Sequence, residues 1–182
     1  MWSVVWQAFY LAWPAYLANM APVIFKNFGW LKFLDRPIDG GKKFGGDYLF
    51  GRHKTWRGLL AAIVGGALAS FFQLILYRYQ FFSSFSLFDY NQQWLLVGLL
   101  GGLGAILGDL AKSFFKRRLK IASGRSWPVF DQLDFIFGFF VFVYLTVRPP
   151  LLVVVVVFLI TLILHPLTNV FAYLLRFKKV WW

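Results

Sequence analysis

The chain has 182 residues, enough for one domain, of which 60% are hydrophobic and only 14% charged. Charged residues make up roughly a quarter of an ordinary soluble domain, and a fold this small leaves much of its surface exposed, so a water-soluble class is excluded and a bilayer becomes the solvent. Nineteen Lys and Arg stand against seven acids, all Asp, for a net charge of +12 with no Cys; that excess suits anionic lipid headgroups or a polyphosphate, and disulfides and thiolate chemistry are ruled out.

A crossing helix needs ~20 mainly apolar residues to cover the ~30 Å hydrocarbon layer. The first such run covers about residues 4–25, with a kink expected at Pro14, and no basic stretch precedes it as in a cleaved signal. A polar loop, residues 26–57, leads to a second span over 58–77 and a third over 94–111. After a basic loop, residues 112–127, a fourth span covers 128–147 and is stopped by Pro149-Pro150. The fifth, over 151–175, continues past Pro166 and forms a tight antiparallel hairpin with the fourth; His165 is expected at a helix end. The fold class is an all-α polytopic membrane protein of about five transmembrane helices, forming a single membrane-embedded domain.

The charges orient it. Eight basic residues lie in 26–57, six in 112–127, and Arg176, Lys178 and Lys179 follow the last span; only Arg78 and Arg148 fall on the other side. The positive-inside rule places the seventeen in the cytoplasm, with the N-terminus outside and the C-terminus inside. Gly98/Gly102 and Gly104/Gly108 have the small-xxx-small spacing of closely packed membrane helices.

Carboxylates at membrane depth cost ~2.5–3.5 kcal/mol on insertion scales and mark functional sites by default. Asp109 ends the third span, and Asp131 and Asp134, three residues apart, share a helical face at the start of the fourth. Asp131 also suits a plain helix N-terminus, but Asp134 is set among Leu133, Phe135, Ile136 and Phe137, where only a cation makes two close carboxylates favourable. Hard oxygen ligands of this kind suit Mg²⁺, commonly shared with substrate phosphates. If the third helix continues, Asp109, Lys112, Ser113 and Lys116 fall on one face, and ammonium and hydroxyl groups beside a carboxylate suit a metal-bound polyphosphate. For Arg117, Arg118 and Lys120 the simpler reading is a stop signal touching anionic lipid.

The loop 26–57 is long for a connector. Gly40-Gly41-Lys42-Lys43, Gly45-Gly46 and the run Gly51 to Gly58 place glycines beside basic residues, as in backbone concavities for phosphate; the P-loop spacing is not present. The residues therefore point to a membrane-embedded, cytoplasm-facing, Mg²⁺-dependent phosphate chemistry on a lipid.

The run Gly108-Asp109-Leu110-Ala111-Lys112-Ser113-Phe114-Phe115-Lys116-Arg117-Arg118, followed by Gly124-Arg125-Ser126-Trp127-Pro128-Val129-Phe130-Asp131-Gln132-Leu133-Asp134-Phe135, resembles the signature of the CDP-archaeol synthase family, relatives of the phosphatidate cytidylyltransferases. Pro37-Ile38-Asp39-Gly40-Gly41-Lys42, Lys54-Thr55-Trp56-Arg57-Gly58, Asn19-Met20-Ala21-Pro22 and His165 to Asn169 extend the likeness over nearly the whole chain. The resemblance implies transfer of CMP from CTP to an isoprenoid glycerol-phosphate lipid, releasing pyrophosphate. It implies Asp109, Asp131 and Asp134 as catalytic metal ligands, and Ser113, Lys116, Arg117, Lys54, Thr55 and Arg57 as CTP contacts. Asn19 and Gly58 would line the pocket, with Asp39, Lys42 and Lys43 as loop contacts; a homo-oligomer is compatible with this reading. Two alternatives stand beside it. A CDP-alcohol phosphotransferase would require Asp-Gly-x2-Ala-Arg and Asp-x3-Asp, where this chain has Asp39-Gly40-Gly41-Lys42 and Asp-x2-Asp; a small transporter would line a path with the aspartates and need no CTP.

Overall fold

The computed structural model describes residues 2–122 and 125–177; Gly124, Lys178 and Lys179 of the sequence reading lie outside them. In hydrocarbon the backbone must satisfy its own polar groups, and the apolar runs accordingly form helices: α1 Trp2–Asn27, α2 Trp56–Tyr77, the short α3 Gln80–Ser83, α4 Tyr90–Arg118, α5 Phe130–Val143 and α6 Leu151–Leu174. Among the described residues, α1, α2, α4 and α6 are long and apolar enough to cross a membrane.

The expected fourth span differs. Its helix, α5, has 14 residues, about 21 Å of rise, where the hydrocarbon layer is ~30 Å. It follows Pro128 and a left-handed Val129 (φ 68°) and ends in a turn over 144–146. The chain then runs without regular secondary structure through Arg148 into Pro149-Pro150, because a residue before proline is driven out of helical geometry. Conversely, α6 passes unbroken through Pro166, so His165 sits inside a helix rather than at its end. Likewise α4 continues beyond residue 111 to Arg118, carrying the basic run on its last turns.

The centre of the bundle is α4, packed on one side by α2 and on the other by α5. Glycines set both distances. A Cβ at Gly66 of α2 would lie 2.5 Å from the Gly98 carbonyl oxygen and 2.8 Å from Gly102 Cα, so only glycine permits this approach. On the other side Gly104 and Gly108 receive Gly138 of α5, and a Cβ at Gly108 would collide with the Asp134 carbonyl. This second seam brings the start of α5 against the end of α4's membrane segment, and with it Asp134 beside Asp109.

Small residues of α1 (Ala8, Ala12, Ala15, Ala18) join the buried core with Val97, Phe135, Ile136 and Phe139. A reciprocal clasp fastens α1 to α2: Tyr10 Oη donates to the Gln73 carbonyl (3.1 Å) and Gln73 Nε2 to the Tyr10 carbonyl (2.5 Å). Tyr16 and Thr161 share a hydroxyl hydrogen bond of 2.9 Å between α1 and α6.

The loop between α1 and α2 is ordered by its own contacts. Lys43–Phe44 (β1) and Asp47–Tyr48 (β2) pair antiparallel, joined by Gly45 (φ +62°) and Gly46 (φ +86°). Positive φ at both central residues is what a type I′ hairpin requires, so this glycine pair, expected in a phosphate concavity, forms the hairpin turn. Arg118 at the end of α4 fastens the hairpin down, donating to the carbonyls of Phe44 (2.5 Å) and Tyr48 (2.9 Å) and lying over the rings of Phe44 and Phe114.

Candidate active site

Three carboxylates from two helices converge on one ammonium. Lys112 Nζ lies 3.1 Å from Asp109 Oδ1, 3.0 Å from Asp131 Oδ1 and 2.7 Å from Asp134 Oδ2. The Asp109–Lys112 pair is built within α4 by its i, i+3 spacing; the other two contacts exist only because the glycine seam docks α5. Lys116, one turn further along α4, holds both oxygens of Asp131 at 3.0 Å and donates to the Arg125 carbonyl at 2.6 Å. The backbone N–H of Trp127 also donates to Asp131, at 2.5 Å. From the first loop, Lys54 Nζ pairs with the other oxygen of Asp109. The cluster thus contains three acids and three lysines, self-neutralised, which is what a charged group requires to be tolerated away from bulk water.

Asp109, Asp131, Asp134, Lys54 and Lys116 are brought together, while the other expected residues lie outside this set of ion pairs. Thr55 caps α2, its hydroxyl accepting from Gly58 N–H at 3.2 Å, as N-cap threonines do. Gly58 packs beside Pro22 of α1. Arg57 is buried at 5% exposure and pairs with Asp35 at 3.0 Å, anchoring the loop's first part to α2. Asp39 is buried too and accepts from the N–H groups of Gly41 (2.9 Å) and Phe50 (3.1 Å), which makes it a brace for the loop. Lys42 and Lys43 are exposed, Lys43 above the Tyr48 ring. Ser113 is buried one turn after Asp109. Arg117, with its Nε buried and without a hydrogen-bond partner, lines a cavity of about 290 Å³ with Asp47, Lys120, Ile121 and Ala122. Asn19 lines a second cavity, between α1, α5 and α6.

Lys112 is the residue that sequence reasoning placed on the right face but did not put at the centre. Its signal was the i, i+3 relation to Asp109; what it meets on α5 depends on a tertiary contact. Among the described residues no three acidic or imidazole groups surround a cation position by themselves, because Lys112 occupies the point where the carboxylates meet. The donor set nevertheless fits a hard cation. Asp134 Oδ2 is buried and, although 2.7 Å from the ammonium, has no aligned hydrogen-bond donor. A buried carboxylate oxygen in that state is short of one partner, and carboxylate oxygens are what Mg²⁺ takes.

The sequence model of the CarS-like CDP-archaeol synthase family matches residues 1–182. The CDP-archaeol synthase of Methanocaldococcus jannaschii is 36% identical over 170 residues, 93% of this chain and 92% of the relative. That of Pyrococcus furiosus is 37% identical over 177 residues, 97% of each chain. A solved structure, described as an intramembrane enzyme for archaeal membrane lipid biosynthesis, superposes with a TM-score of 0.72 at 32% identity, covering 90% of this chain and 92% of that one. With sequence and fold matched over nearly its whole length, the chain belongs to the CDP-archaeol synthase family.

Proposed function

We propose that the α4–α5 cluster is the catalytic centre of a CTP-dependent lipid-phosphate cytidylyltransferase. The chain is an integral membrane enzyme of the family that transfers CMP from CTP to 2,3-bis-O-(geranylgeranyl)-sn-glycerol 1-phosphate, giving CDP-archaeol and pyrophosphate. The observation that carries the assignment to this site is the convergence of Asp109, Asp131 and Asp134 on the Lys112 ammonium.

The chemistry follows from the charges. A phosphate monoester has its second pKa near ~6 and is largely dianionic at neutral pH, so the lipid phosphate oxygen attacks the α-phosphorus of CTP without a general base. The bond from the α-phosphorus to the bridging oxygen breaks, and that electron pair leaves with pyrophosphate. Catalysis then reduces to alignment and charge neutralisation. Asp109, Asp131 and Asp134 would hold Mg²⁺, which supplies charge neutralisation along the triphosphate. Lys54, Lys112 and Lys116 then exchange carboxylate partners for phosphate oxygens. Ser113 on the same face donates a hydroxyl, and Arg117 holds the outer phosphates. Each lysine is already at the site, so little reorganisation opposes binding. One chain supplies the whole cluster, and no second copy is needed to complete it.

The same reading places the loops 26–57 and 112–127 and the C-terminus in the cytoplasm, with the N-terminus outside, supported by the seventeen-to-two division of basic residues. For α5 to complete the odd number of crossings, the irregular segment to Pro150 adds to its rise. Val147 and Pro149 in that segment are buried in protein, the condition under which non-helical backbone is tolerated at membrane depth.

The test is an assay of purified protein with CTP, Mg²⁺ and the bis-geranylgeranyl lipid phosphate, following CDP-lipid and pyrophosphate. Asp134→Asn is expected to cut turnover by at least about 100-fold, the usual loss when one electrostatic contributor to a transition state is removed. Full activity in that variant, or no CDP-lipid from the native chain, overturns the assignment.

A further inference from the structure

We infer that residues 28–36, the turn that follows α1, form an anchor seated among anionic lipid headgroups, and that this anchor holds Lys54 at the carboxylate cluster. Only the part that concerns CTP rests on the cytidylyltransferase reading; the membrane contact stands apart from it.

The turn is built to stay at the membrane surface. With 26 residues, α1 rises about 39 Å against a hydrocarbon layer of ~30 Å, so it reaches from one headgroup layer to the other. At its end the chain folds back instead of running on into water. Gly29 takes a left-handed φ of +69°, its N–H donates to the Lys26 carbonyl (3.2 Å), and the Trp30 N–H donates to that of Phe25 (3.0 Å). Those are the two bonds of a Schellman cap, and the apolar contact that accompanies one is Trp30 on Phe25, edge to face at 5.1 Å. The cap keeps Trp30 level with the last turn of α1, with Phe28 stacked against it at 5.4 Å.

What the turn presents is apolar and basic together. Phe28, Trp30 and Phe33 are 62%, 53% and 71% exposed. Lys26, Lys32 and Arg36 are exposed beside them and form no ion pair among the described residues. A hydrogen bond from Asn27 Nδ2 to the Phe177 carbonyl (3.0 Å) brings the end of α6, with exposed Arg176, to the same level. Aromatic rings seek the boundary between headgroups and hydrocarbon, and unpaired cations at that depth match anionic lipid phosphates.

Backbone bonds carry this contact to the site. The Trp56 N–H donates to the Arg36 carbonyl (3.1 Å) and the Ile38 N–H to the Lys54 carbonyl (2.8 Å), with Pro37 and Thr55 bridged antiparallel between them. Asp35 adds its ion pair with Arg57 at 3.0 Å. Residues 35–38 are thereby fastened to residues 54–57, and Lys54, which pairs with Asp109, lies within that clamp. A turn held by the membrane therefore limits where the Lys54 ammonium can go.

Because the chain has no Cys, Phe33→Cys carries a single spin label. In vesicles of phosphatidylcholine mixed with phosphatidylglycerol, the label should collide with oxygen more often than with an aqueous nickel chelate. Each basic residue near an anionic surface favours association roughly fivefold, so Lys26→Gln, Lys32→Gln and Arg36→Gln combined should move the label toward water in the mixed vesicles and leave it in place in phosphatidylcholine alone. Without the label, the same triple variant should raise KM for CTP about threefold in the mixed vesicles, a fraction of what losing the Lys54 contact itself would cost, and by less in phosphatidylcholine alone. A label more accessible to nickel than to oxygen, or one whose depth ignores the three charges, overturns the inference. An equal rise in KM in both membranes also overturns it, because the charges would then be steering CTP rather than holding lipid. The collision measurement needs no turnover, so an inactive native chain whose label sits at the expected depth would overturn the cytidylyltransferase reading and leave the anchor standing.

Discussion

The end of α4 and the loop before α2 are both rich in basic residues, yet they use them differently. On α4, Lys112 and Lys116 are paired with three carboxylates at a helix–helix seam, where every partner is also a candidate ligand or substrate contact. In the loop, Arg57 is committed to Asp35 and Thr55 to capping α2. Arg118, though on α4, is committed to holding the hairpin. Only Lys54 leaves the loop to join the cluster. The same residue type at similar sequence density is therefore paired with candidate metal ligands in one place and with the fold's own capping, loop and hairpin groups in the other.

Substitutions can break or sharpen that contrast. The largest effect is expected from Gly108→Ala, which touches no charge at all. Its methyl would collide with the Asp134 carbonyl, and displacing α5 by even about 1 Å separates the carboxylates, a misplacement that can cost ~100-fold in rate. CDP-lipid formation should fall on that scale while the protein still inserts into membranes; near-native turnover would show that the seam does not set the site.

Next in size is the contrast between Lys54 and Arg57, three residues apart. Lys54→Met should raise KM for CTP by about tenfold or more, the loss of one charge-assisted contact of ~1.5–3 kcal/mol, and leave thermal stability nearly unchanged because Lys54 is partly exposed. Arg57→Gln should do the reverse. Its guanidinium is buried but Asp35 is half exposed, so the expected cost is about 1–3 kcal/mol of stability, read as a lower melting temperature in detergent, with KM for CTP within about threefold once folded. An exchange of those two phenotypes would erase the distinction.

The smallest effect belongs to Arg118→Ala. Freed from Arg118, the hairpin over residues 43–48 should exchange its amide hydrogens faster, while turnover changes by less than about threefold. A large loss of turnover would move Arg118 into the catalytic group.

Much of this was legible before any coordinates. Apolar run length gave four of the spans, since hydrocarbon thickness fixes helix length, and the Asp109–Lys112–Lys116 face followed from 3.6-residue periodicity. What stayed hidden depended on contacts between segments distant in sequence. The aromatic run after Phe135 is apolar throughout, so nothing in its hydropathy marks the end of α5 at Val143; the turn over 144–146 and the irregular approach to Pro149 do that. Burial of Asp39 arises from the loop folding on itself, and pairing of Arg57 with Asp35 from the loop folding back onto the start of α2. The paired positive φ values of Gly45 and Gly46 were readable in principle, because Gly-Gly between two short β-prone pairs is a hairpin signal. And Lys112 could be placed on a face, but its three partners required knowing that α5 docks there through Gly138.

The internal neutrality of the cluster also bears on how the chain is made. Asp109 and Lys112 pair within one helix, so α4 can enter the bilayer with that acid already compensated. Asp131 and Asp134 have no such partner on α5; their lysines are on α4. Inserted alone, each would incur a cost that reaches ~2.5–3.5 kcal/mol at the centre of a membrane helix, relieved once α4 is in place. Synthesis from the N-terminus delivers α4 first, so the order of the helices along the chain is also a workable order of assembly, in which the last two carboxylates arrive to find their counter-ions waiting.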